Sequence, residues 1–174
     1  LAGSSAGAGS SPLPSRLAGT RVAVRDSLGL TRYSPLFYVS SGQINFLVPS
    51  GTASGEARVT AFTSTGAASS GTLNVAETTP GLFSANSSGS GVVAGYVIRY
   101  QADGSSNAIS ILSYDNALRR YVPIPLEPAA GATVTYLIMF GTGIRNRTSL
   151  ANVSATVGGL SSRVAYAGPQ GFFI

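Results

Sequence analysis

The chain has no cysteine, histidine, lysine or tryptophan, and only six acidic residues in 174. Each absence excludes something. Without cysteine there are no disulfides and no thiolate metal sites, although this leaves the compartment open. Without histidine and lysine, a serine has neither of its usual partners for activation as a nucleophile. The acids Asp26, Glu56, Glu77, Asp103, Asp115 and Glu127 never cluster in sequence, whereas a calcium site collects several oxygen ligands, usually with grouped carboxylates. Two carboxylates brought together by folding could still hydrolyse a glycoside, but no spacing points to it. No apolar run approaches the about 18 residues of a membrane span. The Gly-rich stretch Ser87 to Gly91 opens no helical pattern, so it reads as a turn and not as a phosphate cradle. The sequence therefore reads as non-enzymatic, with no cofactor, no metal, no catalytic residue and no membrane span.

The net charge is +5, and all eleven basic residues are arginine. Apart from Arg119-Arg120 and the Arg145/Arg147 pair they are scattered. A nucleic-acid binder concentrates its cations and interleaves them with aromatics; this chain does neither, and no nucleic-acid partner is expected. The missing tryptophan weakens a carbohydrate platform, but exposed tyrosines can also stack on sugars, so glycan stays a candidate ligand. Three N-x-[ST] matches begin at Asn86, Asn146 and Asn152; such matches arise readily in a Ser/Thr-rich chain.

What is present is β-forming sequence with Gly, Ser and Pro between its pieces. Hydrophobic content is 44%, enough for a packed core. Residues 1–16 are Gly/Ala/Ser-rich and read as a flexible arm. Short runs follow at Arg21 to Arg25, Leu36 to Ser40, Gln43 to Val48, Ala57 to Thr63 and Gly71 to Ala76. In the fourth run Phe62 falls on the more polar face. Thr78-Thr79-Pro80-Gly81 marks a boundary. Three more runs, Val92 to Tyr100, Ala108 to Tyr114 and Arg120 to Leu126, look like an antiparallel meander, with Asp103-Gly104 as a hairpin signal. After a hinge at 127–131 comes the apolar run Ala132 to Phe140. No stretch keeps a 3.6-residue period, so almost no helix is expected. This spacing predicts an all-β sandwich or barrel.

One segment occurs twice. Leu17-Ala18-Gly19-Thr20-Arg21-Val22-Ala23-Val24 returns as Leu150-Ala151-Asn152-Val153-Ser154-Ala155-Thr156-Val157. Gly29-Leu30 and Tyr38-Val39-Ser40 return as Gly159-Leu160 and Tyr166-Ala167-Gly168. The apolar run precedes only the second copy, and strand-like runs around QINFLVP and ARVTAFT follow only the first. The expected domains are a 1–16 arm, a first domain over 17–80 lacking a front strand, a connecting meander over 81–130, and a second domain over 131–174 lacking back strands.

The run GATVTYLIMFGTGI (Gly131 to Ile144) resembles the opening strands of bacterial Ig-like domains of the IPT/TIG kind, where an apolar strand runs into a Phe/Tyr-Gly-x-Gly bend. PLFYVSSGQINFLVP, TPGLFSANSSGSG, RYVPIPLEP and FGTGIRNRTSL, in this order, resemble the tandem Ig-like C-terminal domains of secreted acidobacterial proteins. The resemblance covers nearly the whole chain from Leu17 onward. It implies tandem immunoglobulin-like β-sandwiches, export, and no catalytic residues. Members usually carry a strand with an FGTN-like bend before the segment matching Leu1, and a Gly-Leu-Asp-Gln-x-Asn strand after the segment matching Phe173-Ile174. Gln43-Ile44-Asn45 corresponds to that second strand.

Two functions are expected from this reading. The first is an extracellular structural module, a filament or pilus-like subunit assembled by strand exchange between copies. The alternative is a glycan- or protein-binding adhesion module at the end of a larger secreted protein. The partners are then other copies of the chain or the strands of a longer parent. The expected assembly residues are Leu1 and Leu13 in the arm, and Phe172, Phe173 and Ile174, whose apolar side chains each gain ~1.5–3 kcal/mol on burial.

Overall fold

A computed structural model describes residues 3–127 and 132–170. The protein is all-β. Among the described residues the one helical element is a 3-10 turn at Leu150–Asn152, and no helix is long and apolar enough to cross a membrane. The contacts separate two units, Leu1–Glu77 and Thr78–Ile174. The expected meander and second domain thus fall in one unit.

The first unit contains β1 (Ala6–Gly7), β2 (Arg21–Arg25), β3 (Thr31–Tyr33), β4 (Leu36–Val39), β5 (Ile44–Phe46), β6 (Gly55–Phe62) and β7 (Ala68–Val75). A four-stranded sheet has the order β3-β2-β6-β7, and a three-stranded sheet the order β1-β4-β5. Every pairing is antiparallel. Alternation explains how the sheets meet. Val22 on β2 and Val59 and Ala61 on β6 point to one face, where they pack with Leu36 and Val39 of β4 and with Ala6, Leu17, Ile44 and Phe46. Leu36 and Val39 are fully buried.

Two features differ from the sequence reading. The arm is not a free loop: Ala6 and Gly7 pair with Val39 and Tyr38, Ala8 N–H donates to the Phe37 carbonyl (2.8 Å), and Leu36 N–H donates to the Pro14 carbonyl (2.8 Å). Small residues let the arm lie against β4, and Ala6 reaches the core. Phe62, out of phase in the sequence, has a partner on the outer face. Arg21 stands directly opposite it, and the guanidinium lies 5.5 Å from the Phe62 ring and 5.1 Å from the Tyr33 ring. Aromatic faces attract that cation, and buried Ala23 sits between Arg21 and Arg25 on the same face of β2.

The second unit contains β8 (Gly81–Leu82), β9 (Gly95–Gln101), β10 (Ser106–Ser110), β11 (Leu112–Asp115), β12 (Arg120–Pro123), β13 (Ala132–Met139), β14 (Gly141–Thr142), β15 (Ala155–Val157) and β16 (Leu160–Ser162). The predicted turn at Asp103-Gly104 joins β9 to β10, with Gly104 at φ 84 and Ser105 N–H donating to Asp103 Oδ1. The run is not a simple meander. The chain bends at buried Ile111, so β11 pairs only with β12, and the other edge of β9 goes to β13. The FGTG bend is held by a close approach. Gly143 has φ +79, Thr79 N–H donates to its carbonyl (2.8 Å), and a side chain there would run into the Thr79 carbonyl.

Candidate interaction surface

The acidic residues are used locally. Asp26 is buried in the loop after β2. Its Oδ1 accepts the N–H groups of Leu28 (3.1 Å) and Leu30 (2.9 Å), and its Oδ2 accepts Arg32 Nη1 (2.7 Å) and the Ala53 N–H (3.2 Å). Burial pushes this carboxyl upward. The N–H donors of Ala53 and Leu30, Arg32 and the Leu28 N–H outweigh that and hold it below the ordinary carboxylate value. Asp103 is lowered by the Ser105 side chain and N–H at its turn. Asp115 accepts the N–H groups of Ala117 and Leu118, both at 2.9 Å. Among the described residues no three His, Cys, Asp or Glu come together.

Two concavities lie on the first unit. One, about 420 Å³, is lined by Arg25, Asp26, Ser27, Gly29, Glu56, Arg58 and Thr72. Charges of both signs alternate there, and Asp26 is already paired with Arg32. The other, about 410 Å³, is apolar: Val59, Ala61 and Leu73 form its floor with Gly71, and Phe46 stands at its side. It follows the inner face of β6 and β7 where the three-stranded sheet ends at β5.

The second unit exposes tyrosines in cross-strand pairs. The Tyr114 and Tyr121 rings meet edge to face at 5.3 Å on β11 and β12, directly opposite one another. Tyr100 and Tyr136 also meet edge to face, at 6.0 Å, but diagonally across β9 and β13, where Tyr136 stands opposite Ile98 and Tyr100 opposite Val134.

The doubled segment gives the sharpest contrast. Its first copy forms β2 and β3, and its second forms β15 and β16, again an antiparallel hairpin. Val24 and Val157 hold the same place in the two copies, yet Val24 is 1% exposed and Val157 49%. Leu160, after the turn, is 74% exposed. The first hairpin is flanked by β6 and covered by β4. The second stands as a two-stranded sheet among the described residues.

Of the expected assembly residues, Leu1, Phe172, Phe173 and Ile174 lie outside the described residues. Leu13 is half-buried in the arm, next to the Pro14 that bonds β4. The β15–β16 edge is not among the expected assembly residues; its sequence signal is Gly158-Gly159 between two β-capable triplets, the mark of a hairpin. No protein-family model, no curated protein and no solved structure matches this chain.

Proposed function

We propose that the chain is a non-enzymatic extracellular structural module of Ig-like domains, a filament-forming subunit in which a neighbouring copy supplies a strand to complete the fold. The observation that carries this reading is the unequal fate of Val24 and Val157. A sequence that is buried in one copy has the apolar pattern of a core strand, and in its other copy Val157 of that pattern faces solvent while Ala155 is half-buried. An open edge and an exposed apolar face invite a strand from another chain. The order of motifs resembling tandem Ig-like domains of secreted proteins supports the extracellular location. The arm is a poor donor, because it already serves β4 of its own unit. Sedimentation velocity across a concentration series, with electron microscopy of the concentrated sample, tests this. Concentration-dependent growth into head-to-tail oligomers is the expected result; a monomer at every concentration would overturn it.

The second reading, an adhesion module for glycan or protein, is favoured by the exposed tyrosine pairs Tyr100/Tyr136 and Tyr114/Tyr121. Paired rings on a sheet offer apolar faces with hydroxyls at their rims. Glycan-array binding that disappears in Tyr114→Ala and Tyr121→Ala would support this reading; a blank array would remove its glycan form.

A further inference from the structure

The duplicated segment carries its own template for what covers β15. In the first copy β2 lies between β3 and β6. Ser34 N–H donates to the Val22 carbonyl (2.8 Å), and Asp26 N–H donates to the Leu30 carbonyl (2.9 Å). By antiparallel alternation, Val22, Val24 and Asp26 turn their peptide groups toward β3, and Ala23 and Arg25 turn theirs toward β6. Opposite Val22, Ala23 and Val24 on β6 stand Ala61, Thr60 and Val59, an apolar–polar–apolar sequence. Ala61 and Val59 join Val22 in the core.

In the second copy β15 takes the place of β2, with Val157 paired to Leu160. Between them Gly158 and Gly159 have φ 60 and φ 81, the signature of a type I′ turn. That turn makes Val157 and Leu160 a mutually bonded pair, so Thr156 directs its N–H and C=O away from β16. Thr156 is the counterpart of Ala23, which faces β6. Both copies therefore present the same outward peptide group, and among the described residues only the first copy has a strand to receive it.

We propose that the outer edge of β15 is the docking site for a β6-type strand of another polypeptide. The strand runs antiparallel, with apolar, polar and apolar residues opposite Ala155, Thr156 and Val157. This deepens the proposed function and rests on its premise that the fold is completed from outside. The template also sets a size. Ala155 is smaller than Val22, so the residue facing it has room to be larger than Ala61.

The probe is a fluorescent peptide with the sequence of Gly55–Phe62 carrying A61V, titrated into the full chain and read by anisotropy and amide exchange. Saturable binding with new protection at Thr156 is expected, and a scrambled peptide should not bind. Thr156→Pro removes the outward N–H at an edge position where proline is tolerated, and should weaken binding about tenfold, the loss of one ladder hydrogen bond. Val157→Glu leaves the backbone intact and should abolish binding through the apolar face, which covers the case of a misfolded proline variant. No binding, or equal binding by both variants, overturns the proposal. So does a dimer dispersed by Thr156→Pro without peptide binding, since two β15 edges would then be pairing with each other. Peptide binding by a chain that stays monomeric upholds this site and removes the filament reading. Oligomers that survive both variants do the reverse.

Discussion

Arg32 donates through Nη1 to Asp26 Oδ2 across 2.7 Å, and this pair closes the hairpin on which the first unit is built. The carboxylate is almost wholly enclosed, whereas Arg32 keeps about a third of its side chain in solvent. Four donors converge on one carboxylate, so Asp26 fixes both the β2–β3 loop and the approach of Ala53.

An acid-dependent loss of stability follows. The Asp26 carboxyl is lowered in the folded chain from an ordinary 3.8. Its contribution is therefore complete above that unfolded value and is lost as pH falls through the lower, folded one. Urea midpoints measured downward from roughly pH 5 should fall, and Asp26→Asn should be less stable at neutral pH with a flatter acid limb. An unchanged acid limb in that variant would refute the assignment.

Arg21→Ala should destabilise the first unit by about 0.5–1 kcal/mol through loss of contact with Tyr33 and Phe62. Arg21→Lys should recover only part of this, since an ammonium lacks the planar face that stacks on rings. Chemical denaturation of the two variants checks the order.

Gly143→Ala should cost about 2–4 kcal/mol, combining a left-handed backbone with a clash against the Thr79 carbonyl. Calorimetry should show the loss in whichever transition belongs to the second unit.

Ser34→Ala should stabilise the protein. The Ser34 hydroxyl is fully buried and has no hydrogen-bond partner among the described residues. Removing an unsatisfied hydroxyl gains on the order of 1 kcal/mol, visible as a higher urea midpoint with an unchanged slope.

The sequence patterns legible here were local ones. The apolar run Arg21 to Arg25, bracketed by charge, forms β2 over the same residues, and the Asp103-Gly104 turn sits between β9 and β10. Thr31-Arg32-Tyr33 carries no strand signal of its own; β3 exists because Asp26 ties the loop and Tyr33 faces Arg21. The β9–β13 pairing joins residues from 31 (Gln101↔Ala132) to 44 (Gly95↔Met139) apart in sequence and is decided by which edge of β9 is free, which local alternation does not encode. The candidate surface was half legible. The duplication identified the segment, but only the burial of Val24 against Val157 located the open edge.

β7 is an eight-residue strand without a charged side chain, and its outer edge is unpaired among the described residues. Such a strand has little in its side chains to hold register, because small residues fit a neighbour at several offsets. The work falls to the turn before it. Thr63 N–H donates to the Ala67 carbonyl (2.9 Å), Gly66 N–H donates to Thr63 (3.1 Å), and Gly66 has φ +84, a three-residue hairpin loop with its glycine in the left-handed position. Loop length, with a glycine at the left-handed position, is thus the information stored at Ser64-Thr65-Gly66. All eight pairs, from Phe62↔Ala68 to Gly55↔Val75, take their register from that loop, and a slip by one residue would turn Leu73 from the inner face to the outer.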